Sequence, residues 1–359
     1  DKDPKSMLAA GANKVKTCQK CHPTANENFT DYYPHGDHKD RVNYPILFYV
    51  YYGMTGLLFG TFGFFGLHTL LWLLRSLKEK QKAPPLKMTE EKMVWRFRLF
   101  ERTLHFLVIV SFLTLALTGL PLKFSYTEWA KTLASFLGGF QTAGYLHRMM
   151  GVVTFVYFAL HLGSLLRRVL KGEQGLFWGP GSMVPQLKDG EDMIGQIKWF
   201  FGLGPRPKFD RYTYWEKFDY WAVFWGVGMI GVSGLVLWFP AFAAKLLPGW
   251  AFNVAMIIHS DEAILATGFI FSIHFFNSHL RPEKFPMDFV IFTGRVHVDE
   301  LKHERPLEYE RLKASGELEK QMGMHVLPWQ YKAARIFGTT ALVIGLILLL
   351  CMLSVWFIH

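Results

Sequence analysis

Six long apolar segments interrupt this 359-residue sequence, and they restrict its fold more than any other feature. A helix that crosses a bilayer needs about 20 mostly apolar residues. The six segments that qualify are Ile46–Leu74, Leu99–Leu122, Leu146–Leu166, Phe218–Phe239, Phe252–Phe276 and Ile336–Ile358. Only 19% of the residues are charged, against about 25% in soluble domains. The sequence therefore predicts an all-α membrane protein with about six transmembrane helices and the lipid bilayer as its surroundings.

Positive charge is distributed unevenly among the links between these segments. Links 75–98, 167–217 and 281–335 carry eight, nine and ten Lys or Arg residues, whereas the other two carry three between them. The positive-inside rule places the basic links in the cytoplasm and both termini in the periplasm, which predicts a bacterial inner-membrane protein. Seven basic residues before the first segment run against this rule. The net charge of +10 does not indicate nucleic-acid binding, because the charges lie between apolar segments rather than on one face of a soluble fold.

The clearest chemical motif is Cys18-Gln-Lys-Cys21-His22. C-x-x-C-H is the signature of c-type haem attachment, in which both thiols bind the haem covalently and the adjacent imidazole ligates the iron. A structural zinc site needs four ligands, and the only other cysteine is Cys351, in an apolar segment. We therefore predict that residues 1–44 form a short, loop-rich periplasmic segment with one haem c. An export signal is expected to have been removed from this segment or omitted.

The sequence leaves the second axial ligand of this haem open. His35 and His38 lie close to the motif on a flexible loop, and Met7 is a weaker candidate. We expect one of the two histidines to bind this iron. The alternatives are that a histidine ligates a haem on an upstream domain or a partner, or that it is a solvated loop residue.

Six histidines fall inside the predicted spans: His68, His105, His147, His161, His259 and His274. Ionisable residues are costly in a membrane and indicate a functional role there. His147 and His161 are 14 residues apart, and His259 and His274 are 15 apart. In a straight helix these offsets are about 40° and 60° from a common face, with roughly 21–22 Å of rise. Imidazole is a good iron ligand, so the spacing predicts two bis-histidine haems b, with His147 and His259 at the outer level.

At the inner level the spacing leaves two alternatives. His274 can pair with His161, or it can pair with His105 and leave His161 as a neighbour or a quinone contact. A third haem b is a further possibility if His68 is also a ligand. No internal repeat is evident in the sequence.

Four stretches of residues 95–285 form a recognisable set. They are Arg102-Thr-Leu-His105-Phe with Leu117-Thr-Gly-Leu120; Leu146-His147-Arg-Met-Met-Gly151-Val-Val; Tyr214-Trp-Glu-Lys-Phe-Asp219-Tyr-Trp; and His259-Ser-Asp-Glu-Ala263 through His274-Phe-Phe-Asn-Ser-His279. This set resembles the membrane cytochromes b of the formate dehydrogenase gamma-subunit and nickel–iron hydrogenase group. The resemblance implies a four-helix haem-binding core whose ligands are His105, His147, His259 and His274. Phe106 stands where that group usually has Trp.

Stretches outside this core extend the resemblance. They are Cys18–His22, Pro34-His35-Gly-Asp-His38, Phe65-Gly-Leu-His68 through Trp72, Phe285-Pro-Met-Asp through Gly294, and Arg305-Pro-Leu-Glu-Tyr-Glu-Arg311. They look like the cytochrome b modules that are fused to c-type haems in inner-membrane respiratory complexes. The likeness implies that residues 45–359 form a six-helix cytochrome b domain within a multi-subunit complex. It also implies electron exchange between c-type haems and menaquinone or ubiquinone, as in quinol–cytochrome c type oxidoreductases.

A quinone site needs a proton donor or acceptor beside a haem. The candidates at the inner end are His279, Arg281, Asp210 and Arg211. At the outer end Asp261 and Glu262 follow His259, but carboxylates at the start of a helix are also favoured by its dipole. The resemblance favours the inner end, and we predict His279 and Arg281 as quinone contacts.

Two functions fit these features. The first is a membrane subunit that passes electrons between the quinone pool and periplasmic c-type haems through haems b, with a c-type cytochrome or another periplasmic redox subunit as partner. The second is a membrane anchor of a larger respiratory complex, in which the haems are structural. The sequence leaves the direction of electron flow open.

Overall fold

The computed structural model describes residues 5–7, 9, 12–81, 92–323 and 325–358. Six of its helices are long and apolar enough to cross a membrane. They are Pro45–Lys80, Leu99–Lys123, Phe140–Leu170, Tyr214–Trp238, Trp250–Leu280 and Pro328–Val355. Each corresponds to one predicted span, and most extend further at their ends. The predicted fold class, an all-α membrane protein with six transmembrane helices, is confirmed.

The helices and strands follow one another in this order. They are α1 (Ala12–Gln19), α2 (Glu27–Thr30), α3 (Pro45–Lys80), β1 (Met93–Trp95), α4 (Leu99–Lys123), α5 (Glu128–Phe136), α6 (Phe140–Leu170), α7 (Leu187–Phe200), α8 (Tyr214–Trp238), α9 (Pro240–Ala243), α10 (Trp250–Phe269), α11 (Val290–Thr293), β2 (Arg295–His297), α12 (Val298–Glu304), α13 (Pro306–Ala314), α14 (Glu317–Lys320), β3 (Met322–Gly323) and α15 (Pro328–Ile358). Two π-helical turns, Ile270–His274 and Phe276–Leu280, continue α10 to the end of the fifth span.

The chain divides into two compact units. Unit 1 comprises residues up to 62 together with 224–266, and unit 2 comprises residues 63–223 together with those from 267 onward. Helices α3, α8 and α10 contribute residues to both. The predicted division into residues 1–44 and 45–359 stays a prediction.

In unit 1 the N-terminal segment is fastened to the link between α8 and α10. The side-chain amides of Asn26 and Asn28 both donate to the Ala244 carbonyl, at 2.9 and 3.1 Å. The Asn253 side chain accepts from the backbone N–H of Tyr33 at 3.1 Å and donates to its carbonyl at 2.9 Å. The N-terminal segment therefore lies at the same end of these helices as the α8–α10 link.

In unit 2 helix α4 packs along α6 and also contacts α15. Arg98 caps the start of helix α4, and its backbone N–H donates to the Glu101 side chain at 2.6 Å. Such a bond satisfies one of the donors that a helix start leaves free. At the other end of α4, the short helix α5 follows Lys123 and connects α4 to α6.

A small globular layer follows the fifth span in unit 2. Strand β1 pairs antiparallel with both β2 and β3, which gives the strand order β2-β1-β3. Helices α12 to α14 cover it, and their shared core is formed by Val94, Val296, Val298, Leu301, Leu312 and Leu318. Strands of two or three residues are too short to leave a periodic sequence pattern, which is why sequence analysis did not predict this sheet.

Candidate haem-binding site

The most informative contact joins the fifth span to α8. His274 ends the first π-helical turn, and its Nδ1 lies 2.8 Å from Oδ2 of Asp219. Because Nδ1 is engaged, Nε2 is the nitrogen left to bind a metal. Histidines that bind metals commonly have their second nitrogen held in this way by a carboxylate or a carbonyl.

His105 on α4 belongs to the same region of unit 2. It lies within electrostatic range of His274 and His279. It also lines an open cleft of about 210 Å³. Arg102 fixes the edge of this cleft by donating from Nε and Nη2 to the Phe292 carbonyl, at 2.9 and 2.5 Å. The other lining residues are Leu99, Thr103, Phe106, Ile109 and Ile291.

Two further histidines of unit 2, His161 and His68, have tyrosine partners on α8. His161 Nε2 lies 2.8 Å from the Tyr220 hydroxyl, and His68 Nε2 lies 2.5 Å from the Tyr214 hydroxyl. Phe200 packs edge-on against the His68 ring, at a centroid distance of 5.0 Å. Iron ligation through Nε2 of His161 or His68 requires the tyrosine to move away.

His147 on α6 is anchored to α4. Its Nδ1 lies 3.0 Å from Oγ1 of Thr118, and this hydroxyl donates its proton to the Thr114 carbonyl at 2.7 Å. The hydroxyl can therefore only accept from Nδ1–H of the imidazole. A Cβ atom on Gly119 would lie 2.9 Å from Cε1 of the same ring. Glycine is required there because it lets the imidazole lie directly against α4.

His259 in unit 1 has a similar arrangement. Its Nδ1 donates to the Ile230 carbonyl at 2.9 Å and lies 3.4 Å from the Ser233 hydroxyl. A Cβ atom on Gly234 would lie 3.0 Å from the ring. The hydroxyl-Gly-Leu pattern of residues 118–120 thus recurs at 233–235, a local repeat that sequence analysis missed. His147 and His259 belong to different units, and their ligation of one haem stays a prediction.

The two predicted quinone contacts are buried where the fifth span ends. His279 Nδ1 accepts from the backbone N–H of Asp288 at 3.3 Å, and its ring stacks on Phe292 at 6.2 Å. Arg281 donates from Nη2 to Glu304 at 3.0 Å. Its Nε and Nη1 are buried and have no hydrogen-bond partner among the described residues. Arg281 therefore retains donors for a further polar group.

The other two residues considered for this end have partners of their own. Asp210 pairs with Arg311 at 2.7 Å, and Arg211 pairs with Glu308 at 2.9 Å. Glu308 is almost fully buried, and Arg96 also pairs with it at 2.5 Å. These ion pairs tie α13 to β1 and to the start of α8, which is a structural role.

The charge of Glu304 is stabilised by its surroundings. Burial alone would raise the pKa of this carboxyl, but the positive charge of Arg281 holds the pKa well below its ordinary value. The His303 hydrogen bond and the charges of Arg206 and Lys284 act in the same direction. Glu304 thus neutralises a strongly basic, buried region next to His279.

The C-x-x-C-H motif lies at the end of α1 in unit 1. Cys18 is in the last turn of the helix, and its carbonyl accepts from the backbone N–H groups of Cys21 and His22, at 3.2 and 2.9 Å. Both thiols are free. Cys18 is half-buried, and Cys21 and His22 are exposed.

The candidates for the second ligand of this haem also lie in unit 1. His35 is exposed, and the His38 ring packs on Tyr51 at a centroid distance of 4.0 Å. Met7 is 64% exposed, and its carbonyl accepts from the Thr17 hydroxyl at 2.7 Å. The choice among these candidates stays a prediction.

Within the described ranges, no group of three or more His, Cys, Asp or Glu side chains converges to hold a bare metal ion. Haem iron is different, because the porphyrin supplies four ligands and the protein supplies only the axial ones. Imidazoles held through Nδ1 on apolar helices, with glycines beside two of them, fit this group.

Apolar spanning helices that carry anchored imidazoles are the arrangement expected of a membrane haem protein. The chain is 22% identical over 178 residues to the nitrate-inducible formate dehydrogenase cytochrome b556(Fdn) subunit of Escherichia coli K12, over 50% of this chain and 74% of that subunit. It is 25% identical over 178 residues to the formate dehydrogenase cytochrome b556(fdo) subunit of the same strain, over 49% and 75%. No family model matches the sequence. Over about half of its length the chain is thus similar to cytochrome b556 subunits of formate dehydrogenases.

Proposed function

We propose that this chain is a membrane electron-transfer subunit that connects a quinone with a periplasmic haem c through two bis-histidine haems b. The observation that carries the proposal is that Nδ1 of His147, His259 and His274 is held by a neighbouring helix in each case. A bound haem b supplies a one-electron iron couple. The residues of the chain hold the axial histidines in place, exclude water from the haems and exchange protons with the quinone. The relatives, which are cytochrome b556 subunits, support the presence of haem b.

The orientation that we propose places both termini in the periplasm of a bacterial inner membrane. The hydrogen bonds from Asn26 and Asn28 to Ala244 support it. They join the C-x-x-C-H segment to the α8–α10 link, which is poor in basic residues. Attachment of haem c takes place outside the cytoplasm, so the motif and the charge distribution agree.

We assign His105, rather than His161, as the partner of His274. His105 borders an open cleft and is within electrostatic range of His274, whereas Nε2 of His161 is bonded to Tyr220. The same argument gives two haems b rather than three, because His68 Nε2 is bonded to Tyr214.

His105→Phe is expected to reduce the haem b content from two to one per chain, because it removes an axial ligand. His161→Phe is expected to retain two, because it removes only a partner of a tyrosine. Pyridine haemochrome spectra of both purified variants measure this directly. Loss of a haem b from His161→Phe with full retention in His105→Phe would reverse the assignment.

We place the quinone site at the cytoplasmic end of the fifth span, next to His279 and Arg281. The buried imidazole of His279 can exchange a proton with the quinone oxygen, and the unpartnered nitrogens of Arg281 can donate to it. Quinone reduction consumes two electrons and two protons, and quinol oxidation returns them. General acid–base catalysis by a positioned side chain contributes about 10²–10⁴-fold.

His279→Gln is therefore expected to slow quinol-dependent reduction of haem b by about 100-fold, with haem content unchanged. His325→Gln is the matched control, because His325 is exposed, and it should react at the wild-type rate. Stopped-flow absorbance of the b bands after mixing with a menaquinol analogue gives both rates. Equal rates in the two variants would remove His279 from the site.

The proposed function is tested with the unmodified protein in lipid vesicles. Anaerobic addition of menaquinol is expected to reduce haem b and haem c, and a quinone analogue is expected to block both reductions. A structural anchor would bind the same haems, but quinol would leave them oxidised. That second result would favour the alternative, a membrane anchor of a larger complex.

A further inference from the structure

The three anchored imidazoles differ in the group that accepts their Nδ1 proton. His147 faces a threonine hydroxyl and His259 a backbone carbonyl, both of which are neutral. His274 alone faces a carboxylate, Oδ2 of Asp219 at 2.8 Å. The ligand environment is therefore asymmetric, with the single charged acceptor at His274.

The chemistry of ligation fixes the direction of this hydrogen bond. An imidazole that binds iron through Nε2 carries its proton on Nδ1, so Asp219 can only accept. A carboxylate acceptor draws this proton away and makes the imidazole a more basic ligand. A more basic ligand stabilises ferric iron more than ferrous iron, and hydrogen bonding around axial ligands is one of the means by which proteins set haem potentials.

Asp219 lies in a largely buried environment. Its side chain is only 15% exposed, and Oδ1 is buried with no hydrogen-bond partner among the described residues. Among the described residues, His274 is the only ion-pair partner of Asp219. No described lysine or arginine pairs with this carboxylate. Charge acts more strongly in a low-dielectric interior than in water.

We propose that Asp219 is a positioning residue that lowers the reduction potential of the haem held by His274. This inference rests on the proposed function, because it requires a haem b at His274. A lower potential makes this haem release its electron more readily. The carboxylate thus favours onward transfer from the quinone end of the protein and disfavours retention of the electron there.

The test is a redox titration of the purified, haem-loaded protein, followed at the b bands. In the wild type we expect two one-electron components. Asp219→Asn keeps the size of the side chain and an oxygen acceptor but removes the charge. The substitution is expected to raise the reduction potential of one component. The ferrous-to-ferric ratio of that haem at a fixed ambient potential should then increase about tenfold, which corresponds to about 59 mV for one electron.

Thr118→Val is the control variant, because it removes the neutral acceptor of His147. It should leave unchanged the component that Asp219→Asn raises. Asp219→Glu retains the carboxylate, and it is expected to bring the raised component back towards the wild-type value. If Asp219→Asn moves neither component, or if Thr118→Val moves the same component equally, the proposal is wrong.

A second measurement needs no variant, and it covers the case in which Asp219→Asn fails to bind haem. The electron paramagnetic resonance spectrum of the oxidised wild type should contain two low-spin ferric signals of different axial ligand-field strength. Two signals of equal ligand-field strength would overturn the proposal. Absence of any haem b would instead overturn the proposed function, so the two failures are distinguishable.

Discussion

Replacing Cys18 and Cys21 together by serine is expected to remove all covalently bound haem from this chain while both haems b remain. The two thiols supply the covalent links of a C-x-x-C-H site, and both lie in unit 1 at the end of α1. The haem b ligands that we assign lie on the spanning helices and need no thiol. Haem-dependent peroxidase staining after denaturing electrophoresis should therefore fall to background.

The functional consequence should be equally large. Without haem c, quinol should still reduce the haems b of the double variant, but electrons should no longer reach an external water-soluble acceptor. Cys351→Ser is the matched control, because Cys351 lies in the last span, away from the motif in sequence. Covalent haem that persists in the double variant would contradict the assignment of this segment.

Glu304→Gln is expected to cause a large loss of stability in the layer that follows the fifth span. Arg281 and Glu304 form a buried pair with Nη2 3.0 Å from Oε2 and side chains that are 4% and 9% exposed. Removing one partner of a buried pair leaves an uncompensated charge and costs about 3–5 kcal/mol. The thermal unfolding midpoint in detergent, followed by circular dichroism, should fall accordingly.

Glu317→Gln is the control for this substitution. Glu317 also pairs with a basic residue, Lys320 at 2.6 Å, but both side chains are largely exposed. Exposed pairs contribute about 0–1 kcal/mol, so the midpoint should hardly change. Equal losses in the two variants would mean that burial of the Arg281–Glu304 pair is energetically unimportant.

The same pair predicts a direction for the effect of pH. The pKa of Glu304 in the folded protein lies well below its ordinary value of 4.5. Its pairing therefore contributes fully to stability above about the ordinary pKa, and the contribution is lost as the pH falls through the lower folded value. Wild type should lose stability on acidification below that ordinary value, and Glu304→Gln should lose less.

The spanning helices could be predicted from sequence because their signal is local. About 20 apolar residues in succession are sufficient to identify a span, and the six predicted spans correspond to the six helices. Intramembrane histidines are equally visible, since ionisable residues stand out in such segments. The cytochrome b resemblance agrees with the relatives at 22–25% identity.

The partners of these histidines could not be predicted in the same way. Asp219 and His274 are 55 residues apart, and only the packing of α8 against the fifth span brings them together. Asp219 lies inside a predicted span, where an ionisable residue indicates a functional role. Sequence analysis uses it only as part of a motif. The π-helical turn that ends at His274 also has no periodic signature. Each of its residues advances by less than 100°, so an offset calculated for an ideal α-helix does not hold across this turn.

The small globular layer that follows the fifth span shows a different limit of sequence analysis. Arg281 as a quinone contact stays a prediction, and the short helices that supply Glu304 and Glu308 leave only a weak amphipathic pattern. Their carboxylates could be matched to particular arginines only once the fold was known. Asp210 and Arg211 were grouped with His279 on sequence proximity, and their ion pairs lie elsewhere.

The most direct test of the whole account is a count of haems on the purified chain. A pyridine haemochrome spectrum, combined with a protein assay, gives the amounts of haem b and haem c per polypeptide. We predict two haems b and one haem c. A chain without haem b would contradict the account, and three haems b would require His68 as a ligand and a different arrangement around α8.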